Sequence, residues 1–279
     1  MSQVSVVITG STRGLGLAYA SKFLELGDRV IISSRNREYV EKITQALQKK
    51  YPEKVFGKVA DVTKFEDMKT LADYAVSKFG YIDIWINNAG VATPSLELLG
   101  ECSPEKLRTI VDTNLLGTLY GSKAAISIMK KRGGKIYNMA GFGAKGNVQK
   151  GMTAYGATKR SIPYITKALS SEYKHTSIKF STILPGMTIT DLLTGEPGTK
   201  HDTRAYWVFN VISDTAENVA EKLVPLMKAT NSGNQTLNYT STLKIMWKFF
   251  TAWRYKNKYF DANGSLKIQK IEDRILHKE

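Results

Sequence analysis

A single cysteine, Cys102, leaves the chain without an intrachain disulfide, which fits a reducing compartment, and with no base beside it the thiol reads as packing and not as a nucleophile. No apolar run approaches the roughly 20 residues of a bilayer span. The first apolar segment starts within a few residues of Met1, so no signal or transit peptide is expected ahead of it. Low-complexity runs, internal repeats and Pro/Gly/Ser-rich linkers are also missing, and 279 residues therefore read as one domain with a C-terminal extension. Carboxylates are in short supply: 25 Asp and Glu against 40 Lys and Arg give a net charge of +15. Such a surface attracts anions, whether a phosphorylated cofactor, an acidic protein, a membrane or nucleic acid, and a basic surface with no partner fits the same count.

The chain is organised around residues 4–16, where the run Val4-Ser5-Val6-Val7-Ile8-Thr9 stops at Gly10-Ser11-Thr12-Arg13-Gly14-Leu15-Gly16 and a helical pattern begins. The three glycines let the backbone turn sharply and approach a diphosphate closely. A helix starting near Gly14 points free N–H groups and its positive dipole end at that anion, although a tight turn in any α/β domain fits the same residues. Leu15, Ala18, Phe23 and Leu26 share one helical face, and a strand over 29–33 completes a β-α-β unit. Helices over 38–49 and 68–79, strands over 55–60, 82–86, 135–139 and 178–184, and a long helix opening at Ser103-Pro104-Glu105 continue the alternation. The expected fold is α/β, a doubly wound parallel sheet (Rossmann-like) with helices on both faces and a C-terminal helical extension. Ligands of such sheets bind beyond the carboxyl ends of the strands, where the glycine turn, Asp61 and Asn87-Asn88-Ala89-Gly90 fall.

The residues just past the second strand select the cofactor. An acidic residue there suits the ribose diol of NAD, whereas this chain has Ser34-Arg35, with Arg13 in the glycine turn. Two guanidinium groups and a hydroxyl match a 2′-phosphate, which favours NADPH over NADH; Arg35 alone fits an ordinary surface arginine equally well.

Thr9-Gly10-x-x-x-Gly14-x-Gly16, Asp61-Val62, Asn87 to Gly90, Asn114, Tyr155-x-x-x-Lys159 and Pro185-Gly186 resemble, in order and spacing, the short-chain dehydrogenase/reductase family over about residues 4–230. The resemblance implies that Asp61 and Val62 hold the adenine, that Asn88, Ala89 and Gly90 line the cofactor cleft, and that Thr190 lies near the nicotinamide carboxamide. With Ser11, Thr12, Leu15, Pro185, Gly186 and Thr188, these residues, the three glycines, Arg13, Ser34, Arg35, Tyr155 and Lys159 make up the expected cofactor site; no metal is expected. It also implies a homo-oligomer, with the helix carrying Asn114 against a second subunit.

Tyr155 and Lys159 stand one helical turn apart and project on one face. A hydride delivered to a carbonyl leaves an alkoxide that needs a proton; a phenol is a reluctant donor near neutrality, and a nearby ammonium favours its exchange by lowering its pKa. Lys159 can also bind the nicotinamide ribose, and Asn114 can hold a water linking the lysine to solvent. One departure stands out. Where the family has a serine that polarises the carbonyl, this chain has Ala140-Gly141, and no serine occurs from Tyr137 to Tyr155. Tyr155 acts alone, or Thr153 or a backbone N–H supplies the donor, or activity is lost; losing one such donor costs about a hundredfold. The glycine equally makes room for a bulky substrate.

Residues 187–213 fall where the family carries its substrate lid, with Leu192-Leu193 and the aromatic run 206–212 suiting a large apolar substrate or simply closing the core. His201 reads as a loop residue and not a ligand. Residues 231–279 form a strand and an extension in which Trp247, Phe249, Phe250, Trp253, Tyr255, Tyr259 and Phe260 interleave with Lys244, Lys248, Arg254, Lys256 and Lys258. That mixture suits peripheral contact with an anionic membrane, or a helix closing the substrate pocket; nothing else in the chain supports nucleic-acid stacking, and no nucleic acid is expected. Residues 1–230 are then the dinucleotide-binding catalytic domain. Pro185-Gly186-Met187, Leu192-Leu193, 209–212, 223–227, Leu237-Asn238-Tyr239 and Trp253-Arg254 with Tyr259-Phe260-Asp261 and Gly264 resemble the chlorophyll b reductases within the family, which also replace the serine pair. The resemblance implies NADPH-dependent reduction of the C7 formyl group of chlorophyll b to hydroxymethyl. Other expectations left open are reduction of another lipophilic carbonyl (a steroid, a quinone-like molecule or an acyl thioester) and a non-catalytic nucleotide-binding scaffold. The expected location is soluble or membrane-peripheral, in a bacterial cytoplasm or at the stroma or thylakoid surface of a plastid.

Overall fold

A computed structural model describes residues 2–92, 96–195, 199 and 201–277. Strand β1 (Ser5–Thr9) leads to α1 (Gly14–Glu25), β2 (Arg29–Ser34), α2 (Arg37–Lys50), β3 (Val55–Val59), α3 (Phe65–Phe79) and β4 (Ile84–Asn87). The chain continues through α4 (Pro104–Val111), a wider π turn over Asp112–Leu116, α5 (Gly117–Met129), β5 (Gly134–Met139), α6 (Thr153–Glu172) and β6 (Ile178–Leu184). A short β7 (Thr188–Ile189), α7 (Asp191–Thr194), α8 (Thr203–Ile212) and β8 (Asp214–Thr215) precede α9 (Ala216–Ala229), β9 (Gln235–Asn238), α10 (Thr242–Phe250) and α11 (Ile271–Leu276).

Seven strands form one parallel sheet in the order β3-β2-β1-β4-β5-β6-β9, and β7 pairs with β8 apart from it. The doubly wound sheet expected from the alternation is therefore present, and its order reverses at β1, between β2 and β4. That reversal opens a crevice at the strands' carboxyl ends. Successive residues of β1 serve opposite layers: Val6 and Ile8 pack with Phe23, Leu24, Leu223 and Val224 of α1 and α9, while Val7 packs with Met68, Leu71 and Ala125 of α3 and α5. Buried on both sides, the middle of β1, Val6-Val7-Ile8, is continuously apolar for that reason.

Two local expectations are corrected. The long helix through Asn114 is instead α4, a π turn and α5, an insertion that turns the Asn114 side chain into the interior. Leu26 is not on the buried face of α1: it sits beyond the helix end as an exposed residue, while Phe23 and Leu24 fill the core. Asp28 and Lys228 form a buried ion pair at 2.6 Å, with Asp28 also accepting from the Val4 N–H at 3.0 Å, which ties the start of β2 to the end of α9.

Candidate active site

The glycine turn is built against the end of β4. Gly10 has φ +63°, and a β-carbon on it would lie 2.9 Å from the Ala89 Cα; one on Gly16 would lie 2.3 Å from the Gly10 carbonyl. Asn88 Nδ2 donates to the Thr9 and Gly10 carbonyls, each at 2.9 Å, and Thr9 Oγ1 accepts from the N–H groups of Asn88 and Ala89, each at 3.1 Å. Ser11 Oγ donates to the Ile8 carbonyl at 2.7 Å and accepts from the Ser33 N–H at 2.9 Å. Ser11 and Asn88, expected to face a ligand, thus hold the turn in shape. Ser11 and Thr12 are both buried.

Arg13 is the N-cap of α1 and makes no capping side-chain bond, and the first turn carries no acid. Its guanidinium instead reaches Asp191 Oδ2 at 3.1 Å, and Lys270 pairs with the same carboxylate. Ser34 Oγ is engaged locally with the backbone of Asn36, and Arg35 is exposed just past β2. Sequence reasoning missed Glu272: from α11 its buried carboxylate accepts the Gly14 N–H at 3.0 Å. Nothing in the local pattern around Glu272 signals a partner so far away in the chain. Asp61 Oδ1 accepts from Thr63 N and Oγ1 at 3.0 and 2.8 Å, and Val62 packs on Gly117, where a β-carbon would come within 2.8 Å.

Tyr155 and Lys159 lie in the first half of α6, both buried. Lys159 Nζ donates to the Met139 carbonyl at 3.2 Å and lies 5.8 Å from the centre of the Tyr155 ring. A β-carbon on Gly90 would be 3.2 Å from Asn114 Oδ1 and 3.4 Å from Lys159 Nζ, so the glycine ending the Asn-Asn-Ala-Gly turn is what lets these two groups approach. Three bonds hold Asn114: Nδ2 donates to the Val91 carbonyl at 2.8 Å and to Thr158 Oγ1 at 3.2 Å, and Oδ1 accepts from the Val91 N–H at 2.8 Å. It pins the chain after β4 beside Lys159.

Electrostatics depart from the sequence expectation. Burial pushes the Tyr155 phenol up to about 12 and the Lys159 amine down to about 8, so desolvation, not the neighbouring ammonium, sets the phenol. Gly141, at the place of the replaced serine, lets the phenol come close: a β-carbon there would lie 2.6 Å from the Tyr155 hydroxyl. Thr153 does not take its place. It is exposed at the start of α6 and lines a small cleft with Glu97, Cys102 and Leu107.

Pro185 and Gly186 (φ +74°) carry the chain from β6 into β7, and the Thr190 methyl group packs 3.1 Å from the β-carbon position of Gly14. Thr188 Oγ1 is buried with no protein partner. A buried hydroxyl without a partner, two residues before the threonine that packs at the start of α1, fits a polar group of a bound nicotinamide cofactor.

Residues 196–198 and 200 of the segment read as a lid lie outside the described residues. Its described part divides. Phe209 is buried with Ile189, Tyr259 and Phe260, and Tyr206 packs on this cluster, whereas Trp207 of the same helix is half exposed. Asn210 Oδ1 accepts the N–H groups of Tyr259 at 2.6 Å and Phe260 at 2.9 Å, and Asp214 accepts the hydroxyls of Tyr239 at 2.7 Å and Tyr259 at 3.0 Å. Tyr259 and Phe260 are therefore core residues that fasten the extension to α8 and β8. Burial, reinforced by the Asp214 carboxylate, pushes both phenols up. His201 packs edge-on to Tyr206 and Phe209, with Nε2 3.0 Å from the Thr194 carbonyl.

The chain is similar to known dehydrogenases and reductases. The short chain dehydrogenase family model matches residues 4–200. The chloroplastic chlorophyll(ide) b reductase NOL of Arabidopsis thaliana is 42% identical over 256 residues, covering 88% of this chain and 73% of that protein. Its namesake from Oryza sativa subsp. japonica is 39% identical over 268 residues, covering 91% and 77%. Among solved structures, a tyrosine-to-phenylalanine variant of ElxO with NADPH bound is similar at a TM-score of 0.75 and 27% identity, over 85% of this chain and 97% of that one.

Proposed function

The chain belongs to the short-chain dehydrogenase family and is an NAD(P)H-dependent oxidoreductase, and on that premise we propose that it uses NADPH to reduce the C7 formyl group of chlorophyll b, or of a closely related pigment, to hydroxymethyl. The observation that carries the reading is the convergence of Tyr155, Lys159 and Asn114 on Gly90 and Gly141 at the carboxyl edge of the sheet. A bound nicotinamide supplies the hydride to the carbonyl carbon. Tyr155 donates its hydroxyl proton to the carbonyl oxygen, so aldehyde, hydride and one proton give the primary alcohol, and the phenol recovers its proton from solvent. Lys159, charged at neutral pH, steadies negative charge on the phenol and binds the ribose hydroxyls, and Asn114 holds both in register by fixing the backbone at Val91.

Residues 1–230 are the catalytic domain in this reading. A bound cofactor would set its diphosphate over Gly10 to Gly16, taking the Gly14 N–H from Glu272, its adenine against Asp61 and Val62 and its carboxamide toward Thr188 and Thr190, with Ala89 and Gly90 flooring the cleft. Arg13, Arg35 and Ser34 are the 2′-phosphate contacts that favour NADPH, with Arg13 leaving Asp191 to do so. Residues 187–213 form the lid over the substrate. Subunits pair through the α4–α5 face, where Val111 and Leu119 are exposed. The two relatives carry the substrate in their names, which supports a chlorophyll-like pigment here. NADPH-dependent loss of the chlorophyll b formyl absorption, with Tyr155→Phe as the control, tests the proposal. Turnover of small aldehydes alone would redirect it to another lipophilic carbonyl, and NADPH binding without turnover of any aldehyde would overturn it.

A further inference from the structure

Helix α10 exposes the side that a soluble helix ordinarily hides. Leu243, Met246, Trp247 and Phe250 recur at i, i+3, i+4 and i+7, and Trp253 prolongs the stripe; they are 78, 62, 61, 72 and 70% exposed. One exposed leucine is ordinary, but five large apolar side chains in a row are not. The opposite side of the helix is already engaged. Phe249 stacks on Trp207 of α8 with ring centres 5.8 Å apart, and Lys248 Nζ reaches the carbonyls of Ile212 and Ser213 at 3.4 and 3.5 Å, capping the end of α8. Lys248, grouped by sequence with the outward cations, therefore faces inward.

Charge identifies what covers the stripe. Lys244, Arg254, Lys256 and Lys258 are exposed around it, and no Asp or Glu occurs between Glu221 and Asp261. A second copy docking face to face would set these cations against their own images, which disfavours self-association. Tryptophans and phenylalanines ringed by lysines on a convex helix match the headgroup layer of an anionic bilayer. Among the described residues no helix is long and apolar enough to cross a membrane, so contact of this kind lies in the surface.

We propose that α10 and the turn to Trp253 bind an anionic lipid surface, with Leu243, Met246, Trp247, Phe250 and Trp253 among the acyl chains and Lys244, Arg254, Lys256 and Lys258 on lipid phosphates. Because α10 is packed on α8, the bound face sets the lid against the bilayer. On the reductase reading, an apolar substrate held in lipid then meets the protein on the side of its lid. Binding itself requires no turnover, so the two readings fail separately.

The test uses the full chain and flotation with vesicles of phosphatidylcholine alone or with about 30% phosphatidylglycerol. The wild type is expected to bind the anionic vesicles about tenfold or more tightly than neutral ones, with binding falling as salt rises. Trp247→Ser with Phe250→Ser, and separately Lys256→Glu with Lys258→Glu, are each expected to weaken it by about tenfold while NADPH affinity, which reports the fold, stays at the wild-type value. Failure to bind anionic vesicles, equal binding by both variants, or a drop in oligomeric mass in the aromatic variant would overturn the proposal; the last would make the stripe a subunit contact.

Discussion

The phenolic oxygen of Tyr155 lies 2.6 Å from the position a β-carbon would take on Gly141, so glycine and hydroxyl share one volume. Contact that close requires something to shift, and the buried phenol is the movable partner. Gly141→Ala is expected to lower kcat about tenfold or more by turning the Tyr155 hydroxyl off line, with little change in melting temperature. Steady-state kinetics beside a thermal melt check this; an unchanged kcat would mean the phenol is not held by that gap.

Ionisation of the pair gives stability a shape on the alkaline side. Lys159 loses its proton at about 8 in the folded protein and at the ordinary 10.5 when unfolded, so between those values the unfolded chain binds more protons and stability rises with pH. Tyr155 keeps its proton to about 12 when folded but loses it near 10 when unfolded, so above about pH 10 its contribution falls. Denaturation of the wild type and Lys159→Met across pH 7–11 checks the first limb, which the variant lacks. Reduction itself is expected to weaken above about pH 8 in kcat/KM, as the working ammonium of the free enzyme is lost.

Cofactor choice rests on arginines that are not equally free. Hydrogen bonds to charged groups are worth about 1.5–3 kcal/mol, so Arg35→Ala and Arg13→Ala are each expected to raise the Kd of NADPH by about tenfold or more and leave that of NADH unchanged. Asp191→Asn removes the partner 3.1 Å from Arg13 and is expected to tighten NADPH modestly at low salt, since the pair is exposed and screened. Titration by tryptophan fluorescence distinguishes these outcomes; parallel losses for both nucleotides would reject a 2′-phosphate role.

The Asp28–Lys228 pair is a structural bond under the sheet and touches no part of the site. Lys228→Met strands a buried carboxylate and is expected to cost about 3–5 kcal/mol, measured by chemical denaturation, while the double replacement Asp28→Leu with Lys228→Met recovers most of the loss.

How legible each part was in the sequence depends on how local its cause is. The turn at Gly10 to Gly16 and the Tyr155–Lys159 spacing are set by residues a few positions apart, and the alternation of apolar strands with helical segments implied the sheet. Asn114 was recognisable as a residue but not as the centre of a π turn, because one extra residue per turn leaves no periodic mark in so short a stretch. Gly141 showed a missing hydroxyl, yet only the packing of α6 on β5 shows that the Tyr155 hydroxyl fills the gap. The extension mixed two faces in one string of letters: Tyr259, Phe260 and Lys248 turn inward, Trp247, Phe250 and Trp253 outward, and the aromatic-basic composition is the same for both.

The contact between the Glu272 carboxylate and the Gly14 amide spans 258 positions of sequence. A nascent chain can pair β1 with β2 and wind α1 early, yet that amide stays with water until residue 272 has left the ribosome. The glycine turn is laid down at residues 4–16 and its helix start is closed only by residue 272, so a polypeptide ended before that position would carry the fingerprint of a dinucleotide fold with its first helix left open at the start.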